Sequence, residues 1–281
     1  MVGMVESSYY RTPSNGKKGN KPSTLTYHDT NGLVGQSTVV SSVKDILSHE
    51  FIDCGYRLMT SYLQKDGYLI NHKKLYRIMK EEGLLKIEDR INRSGSGRKF
   101  VKFRKVFTSR PMECLEMDIK MVWIPSAGKN AYLLSIIDVH TRRILKDYFS
   151  FSIKQKHVIT FLSQLFEDFQ HPENVVIRSD NGSQFIAKSV REYLGLIGVS
   201  PEFTHVATPE ENAHVEAYHG ILKKEVFQRF EYFNFGQIEQ ILKRYVVFYN
   251  NIRLHGLLGK ITPMEKWNQD KKLILMKNNA A

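Results

Sequence analysis

The stretch CLEMDIKMVWIPSAGKNAYLLSIIDVHTRRILKDYFSF, residues 114–151, decides the fold. Leu115, Met117, Ile119, Met121 and Trp123 alternate with Glu116, Asp118 and Lys120. That period of two predicts a strand with its apolar residues on one face and Asp118 on the other. Ser126, Ala127, Gly128 and Lys129 read as a turn, followed by strands over 131–139 and about 143–151. Three strands joined by short turns predict an antiparallel meander.

Working outward, the downstream pattern predicts a helix over about 154–169 and a strand at 175–177. A helix over 186–197, a strand at 199–203, and helices over 211–230 and 237–249 follow. The order βββαβαβα is that of a mixed α/β sheet with helices on its faces, the ribonuclease H-like order. Residues 111–268 form this domain, and 269–281 read as a tail. Upstream, residues 1–37, with SNGKKGNKPS at 14–23, lack any sustained period and read as a flexible basic arm. Residues 38–86 carry three short helical stripes. The first is Val39, Val43, Ile46 and Leu47; the second is Tyr56, Met59, Tyr62 and Leu63. The third is Leu75, Ile78 and Met79, with Asn71 as its N-cap and Gly83 at its stop. Three helices in so short a span form an all-α helix-turn-helix domain. The third exposes His72, Lys73, Lys74, Arg77 and Lys80, donors of the kind a recognition helix offers to phosphates and base edges. The plain alternative is a solvated helix face. The stretch RINRSGSGRKFVKFRK lies within the linker 87–110, where Arg98 and Lys99 would touch phosphate.

The charge sits unevenly. Residues 1–110 hold 20 Lys and Arg against 10 Asp and Glu, while residues 111–281 hold 21 against 19. A basic half points to a polyanionic partner. With 42% hydrophobic residues the 281-residue chain can bury a core, so wholesale disorder is excluded. The longest near-apolar run, 132–139, is far short of the roughly 20 residues a membrane helix needs. The first thirty residues lack the apolar segment of a signal peptide. Cys54 and Cys114 form no CxxC pair. The expectation is a soluble protein of a reducing compartment.

Three acids stand out by context rather than spacing. Asp118 lies on the first strand of the sheet. Asp180 opens the loop after VVIRSD, and Glu216 lies on the long helix, thirty-five residues beyond. With 29 acids in the chain, roughly 2.6 acidic pairs fall at that separation by chance. Each also has an ordinary explanation: an exposed strand position, good turn chemistry in Asp-Asn-Gly, and a solvated helix face. In a ribonuclease H-like sheet, however, the three places meet at one edge. Three gathered carboxylates repel, and divalent cations relieve that repulsion. Mg2+ prefers oxygen ligands, and two such ions about 4 Å apart suit an in-line displacement at phosphorus. His214 and His219 lie five apart without a nearby Cys, so no zinc site competes. Lys223 follows Glu216 by seven residues, on the same helix face.

At these residues a family resemblance enters. SDNGSQF at 179–185, NAHVEAYHGILKKE at 212–225 and YNNIRLHGLLGKITPMEKW at 249–267 resemble the bacterial insertion-sequence DDE transposases. The similarity is to the orfB-type product of insertion sequence family three, which has a retroviral-integrase-like core. GYR at 55–57 and GYLINHKKLYRIMKEEGL at 67–84 resemble the helix-turn-helix that precedes that core. The resemblance implies that Asp118, Asp180 and Glu216 are the catalytic metal ligands, for Mg2+ or Mn2+, with two ions per site. It implies that Lys223 contacts the element's end, and that Asn181, Gly182, Asn212, Arg253 and His255 support the motifs, as do Tyr249, Thr262 and Pro263. Thr208-Pro209-Glu210-Glu211 departs from the family's usual segment before its Glu. The partners implied are DNA, both element terminal repeats and target, with a homodimer or larger assembly on it. A frameshift fusion or upstream-frame coiled-coil protein is a further implied partner. Localisation would be the bacterial cytoplasm, with no membrane. The expected activity is metal-dependent 3′-end cleavage and strand transfer. Two alternatives stand beside it: a ribonuclease H-like nuclease without joining, and a non-catalytic DNA-binding remnant or regulator.

Overall fold

The computed structural model describes residues 23–86, 106–169, 174–205 and 209–276. At the N-terminal end, Thr26–His28 (β1) and Gly32–Val34 (β2) form an antiparallel hairpin. Helices Gln36–Ser48 (α1), Tyr56–Lys65 (α2) and His72–Glu81 (α3) follow, with Tyr68–Leu69 (β3) between the last two. β3 pairs with β1, so the three helices carry a small sheet in the order β2-β1-β3. This corrects the reading of residues 1–37 as a flexible arm: residues 26–34 are ordered, while residues 1–22 lie outside the described chain. The partner that holds β1 is some forty residues downstream, so no local periodicity announces it. The helices match expectation. Asn71 Oδ1 accepts the Lys74 N–H at 2.9 Å, capping α3, whose Leu75, Ile78 and Met79 are buried.

The larger sheet has five strands: Cys114–Ile124 (β4), Lys129–Asp138 (β5), Ile144–Ser150 (β6), Val176–Ser179 (β7) and Ser200–Phe203 (β8). Their order is β6-β5-β4-β7-β8. β4–β5–β6 is the expected meander, and β7 and β8 join in parallel. Gln155–Asp168 (α4) packs on one face with Ser183–Ile186 (α5) and Lys188–Leu196 (α6). Ala213–Leu222 (α7) and Phe235–Asn251 (α8) pack on the other. After Leu222 the helix widens into a π turn over Lys223–Phe227.

β4 is central and covered on both faces at its start, so residues 114–117 are all buried. Leu115 and Met117 meet Val158, Phe161, Leu162 and Leu165 of α4. Farther along, the buried side changes. Val122 and Ile124 pack under α7 and α8, whereas Met121 and Trp123 are 63% and 53% exposed. The expected single apolar face therefore ends near Ile119, because α4 does not reach past it.

Two further expectations are corrected. The stretch read as a tail, 269–281, begins with the end of helix Pro263–Asp270 (α9) and continues as helix Lys272–Met276 (α10), with residues 277–281 outside the described chain. Asp270 Oδ2 lies 2.7 Å from His140 Nε2, and Ile274 packs on the α4-side core. The helix-turn-helix is also docked rather than merely tethered. Phe51, 2% exposed, inserts its ring among Phe230, Tyr245 and Phe248 at 5.3–5.4 Å. Glu50 pairs with Arg244 at 2.7 Å, and Tyr62 Oη accepts the Leu254 N–H at 3.2 Å. Of the linker only residues 106–110 are described; Arg98 and Lys99 lie outside.

Candidate active site

β4 and β7 run parallel with Met117 opposite Ser179. The next position along each chain is Asp118 and Asp180, so these acids follow the last paired residues of two adjacent strands. Asp180 leaves the sheet and its Oδ1 accepts the Gly182 N–H at 3.0 Å, the Asx turn that Asp-Asn-Gly favours. Gly182 is needed for proximity. A Cβ there would sit 2.4 Å from the Gln184 side chain and 3.0 Å from Asp180 Oδ1. Asn181 Nδ2 donates to the Thr204 carbonyl at 2.8 Å, tying this loop to the end of β8. Asn212 Nδ2 donates to the Met117 carbonyl at 3.2 Å, tying the start of α7 to β4.

The helix is fastened to the strand by two residues two apart on β4. Glu116, wholly buried, accepts the N–H groups of His214 and Val215 at 2.7 and 3.0 Å. It lies 2.6 Å from His214 Nδ1 as well. This is a carboxylate at a helix N-terminus, where free N–H groups and the helix dipole favour negative charge. Asp118 is the second attachment: its Oδ2 lies 3.2 Å from His219 Nδ1, and its Oδ1 accepts the Ile119 N–H at 2.7 Å. Glu216, exposed, falls between the two histidines, three residues before His219.

Behind Asp118 the sheet is polar. Ser135 is its partner on β5, and Asp147 is the partner of Ser135 on β6. His219 Nε2 lies 3.3 Å from Ser135 Oγ, and Tyr218 Oη donates to Asp147 Oδ2 at 3.1 Å. Burial pushes the Asp147 carboxyl up to about 6. Glu116, His214, His219, Ser135 and Asp147 were not among the residues sequence reading selected. The spacing of His214 and His219 was noticed only as unsuited to zinc; its match to the two strand carboxylates needs the tertiary pairing.

Among the described residues no three His, Cys, Asp or Glu side chains stand close enough to enclose a metal ion. Asp118, Asp180 and Glu216 therefore do not close a cage by themselves. The donor chemistry nonetheless suits a hard cation: carboxylate oxygens only, with the neighbouring Asn212 Oδ1 buried and unpaired. Burial pushes the thiols of Cys54 and Cys114 up to about 12, which favours their neutral forms.

The remaining selected residues divide. Lys223 is exposed at the start of the π turn. Arg253 is structural in its contacts, paired with Glu225 at 2.9 Å beside Tyr245, whose hydroxyl donates to Glu225 at 2.8 Å. His255 holds a one-residue bridge to Ile261, and burial with nearby Arg253 and Arg142 pushes its imidazole down to about 4. Thr262 and Glu265 form a reciprocal capping box with Pro263 in the first turn of α9. On α3, Lys73 and Lys80 are exposed. Lys74 Nζ donates to the Leu25 carbonyl, and Arg77 Nη2 donates to the Ser23 carbonyl at 2.9 Å. Two of the four cations are therefore held by the strand segment that precedes them.

Comparison with known proteins bears on this arrangement. Residues 108–209 and 197–263 match models of the integrase core domain, and residues 43–90 match an HTH-like domain. InsK of insertion sequence element IS150, from Escherichia coli (strain K12), is 26% identical over 230 residues, covering 76% of this chain and 77% of its own. The transposase of insertion sequence element IS629, from Shigella sonnei, is 25% identical over 217 residues, covering 75% and 72%. A chain of the simian T-cell lymphotropic virus intasome, solved with the PP2A regulatory subunit B56 gamma, superposes with a TM-score of 0.50 at 12% identity. It covers 82% of this chain and 73% of that one, a likeness of fold. Among the described residues no helix is long and apolar enough to cross a membrane. A helix-turn-helix domain docked on a ribonuclease H-like integrase core, with relatives of this kind, makes the chain a DNA transposase of the integrase-core type found in bacterial insertion sequences.

Proposed function

We propose that Asp118, Asp180 and Glu216 are the acids of a DDE polynucleotidyl transferase that cleaves a mobile element's 3′ ends and joins them to another strand. The observation that supports this reading is the parallel register of Met117 with Ser179, each the residue before one of the two aspartates, on a strand to which the Glu216 helix is fastened through Glu116. These three would hold Mg2+, with Mn2+ able to substitute and two ions per site. When bound, the ions supply positive charge that neutralises the scissile phosphate and eases deprotonation of the attacking oxygen. The remaining chemistry is in-line displacement at phosphorus. Water adds and the 3′-oxygen leaves as a hydroxyl; that hydroxyl's oxygen then attacks a second phosphodiester and releases its 3′-oxygen. Each step makes one P–O bond as it breaks one, without a covalent protein intermediate.

The chain's own groups position the substrate. Glu116 and Asn212 hold α7 against β4, Asn181 and Gly182 shape the loop of Asp180, and Lys223 offers an exposed cation for the DNA backbone. Residues 38–86 serve DNA recognition through Lys73, Lys74, Arg77 and Lys80, with Arg98 and Lys99 as phosphate contacts in the linker, and residues 111–268 serve catalysis. For Lys74 and Arg77 to reach DNA, the 23–25 segment must release them. Two element ends have to be handled together, so the working form is a dimer or larger on DNA, in the bacterial cytoplasm, alone or with an upstream-frame product.

The test is a strand-transfer assay on a plasmid carrying the flanking element ends. Metal-dependent joined products are expected from the wild type and lost in Glu216→Gln, which still binds DNA. Joining retained in Glu216→Gln sinks the assignment of the acids. Cleavage without joining in the wild type would instead make the chain a nuclease.

A further inference from the structure

We propose that His219 is a positioning residue: it orients the Asp118 carboxylate and is itself anchored, through Ser135, to the polar row beneath α7. This rests on the reading of Asp118 as a metal-holding acid.

The side chain of His219 is 4% exposed, inside a helix that otherwise buries Val215, Tyr218 and Leu222 against the sheet. A phenyl ring or a leucine would fill such a position without desolvating two nitrogens, which costs free energy unless both are hydrogen-bonded. Both are. Nδ1 lies 3.2 Å from Asp118 Oδ2, and Nε2 lies 3.3 Å from Ser135 Oγ. An ionised carboxylate has only lone pairs to offer, so Nδ1 carries the proton and donates it. In the neutral ring Nε2 is then the acceptor, and the nearest hydroxyl to it is that of Ser135, which also hydrogen-bonds the Asp147 carboxyl. The tautomer is therefore dictated by its neighbours, as it is for histidines and carboxylates that support metal sites.

The consequence falls on Asp118. Its Oδ1 is engaged by the Ile119 N–H and its Oδ2 by His219, one donor per oxygen. Rotation of the carboxylate would break both bonds, whereas each oxygen keeps a lone pair for a cation. Ser135, wholly buried between Asp118 and Asp147 in the strand register, keeps the imidazole from turning. Glu116 and His214 secure the same helix two strand residues earlier without touching Asp118. The division is simple: that pair sets where α7 sits, and His219 sets how Asp118 points.

The experiment measures Mn2+ binding to the full-length protein by calorimetry, apart from any catalysis, with wild type, Asp118→Asn, His219→Phe, His219→Asn and Ser135→Ala. The amide nitrogen of His219→Asn falls near the Nδ1 position, so it keeps the donor to Asp118 while losing the link to Ser135. His219→Phe should weaken Mn2+ binding about 10–100-fold. His219→Asn should recover most of it, and Ser135→Ala should fall between. Joining activity at saturating metal should follow the same order. Mn2+ binding that is unchanged or tighter in His219→Phe overturns the proposal, as does failure of His219→Asn to bind better than His219→Phe. Should His219→Phe not fold, Ser135→Ala with wild-type affinity overturns it equally. If Asp118→Asn binds Mn2+ like the wild type, the site reading itself fails, a result separable from loss confined to the His219 variants.

Discussion

Against α4 the central sheet presents Leu115, Met117, Leu134 and Ile136; against α7 it presents Glu116, Asp118, Ser135 and Asp147. β4 and β5 supply both sets, one residue out of phase, and β6 adds Asp147. The first face is dry and satisfies itself by packing alone. The second holds groups that each cost free energy to bury, and every one of the four has a partner on α7 or on a neighbouring strand. The difference is local: the α7 side has its own apolar core in Val122, Ile124, Leu133, Val215 and Leu222, and within it these four polar groups are specified by hydrogen bonds. The dry face also explains why the polar face can hold buried carboxylates in fixed places: β4 cannot slip by one residue without turning Leu115 and Met117 away from α4.

The sharpest way to separate the two faces is Asp118→Asn. Joining should drop by at least about a thousandfold, on the order of losing a principal stabilising group of a transition state. Its denaturation midpoint should stay near that of the wild type, since an amide oxygen still accepts from His219. Phe161→Ala on the opposite face should reverse that pattern. It should cost about 4 kcal/mol in urea unfolding, from lost burial plus a cavity, while the folded fraction keeps its metal dependence. A stable Phe161→Ala with altered metal response would show that the faces are not independent. Glu116→Ala is intermediate, removing a buried acceptor from His214 and two helix N–H groups. A loss of about 3 kcal/mol is expected, with joining impaired because α7 loosens.

His255 tests the far border of the polar region by pH. Its imidazole is held down to about 4, so it stays neutral in the fold across a range where the unfolded chain takes up a proton. Stability from this group is complete above about 6.5 and declines as pH falls from there toward 4. His255→Gln should flatten that part of the midpoint-versus-pH curve; an unchanged slope would contradict the buried neutral assignment. The smallest effect belongs to the helix-turn-helix surface. Lys73→Ala should reduce the salt dependence of DNA binding by about one unit of slope, uniformly across sequences.

Legibility followed the range of the interactions. The stripes of α1 to α3, the Asn71 cap and the meander are local, and they stand where periodicity put them. The loop of Asp180 was readable because Asp-Asn-Gly has its own turn chemistry. The hairpin at 26–34 was not, since β1 depends on β3 across two helices. Met121 and Trp123 continue the alternation of β4 perfectly yet lie exposed, because nothing in the strand states where α4 ends. Of the C-terminal signature, Arg253 and Thr262 were recognisable as motif positions, but Glu225 as the partner of Arg253 is twenty-eight residues away across the π turn.

The chain by itself determined its element order and the basic charge of its first half, because each is written locally; the three acids were singled out by the family resemblance of the motifs around them. Only the tertiary structure decided that Glu116 caps α7, that His219 stands on Asp118, and that Phe51 locks the two domains together. Those depend on strand register and on which helix covers which face. Register is chosen by the burial of the whole sheet at once, and no window of residues contains it.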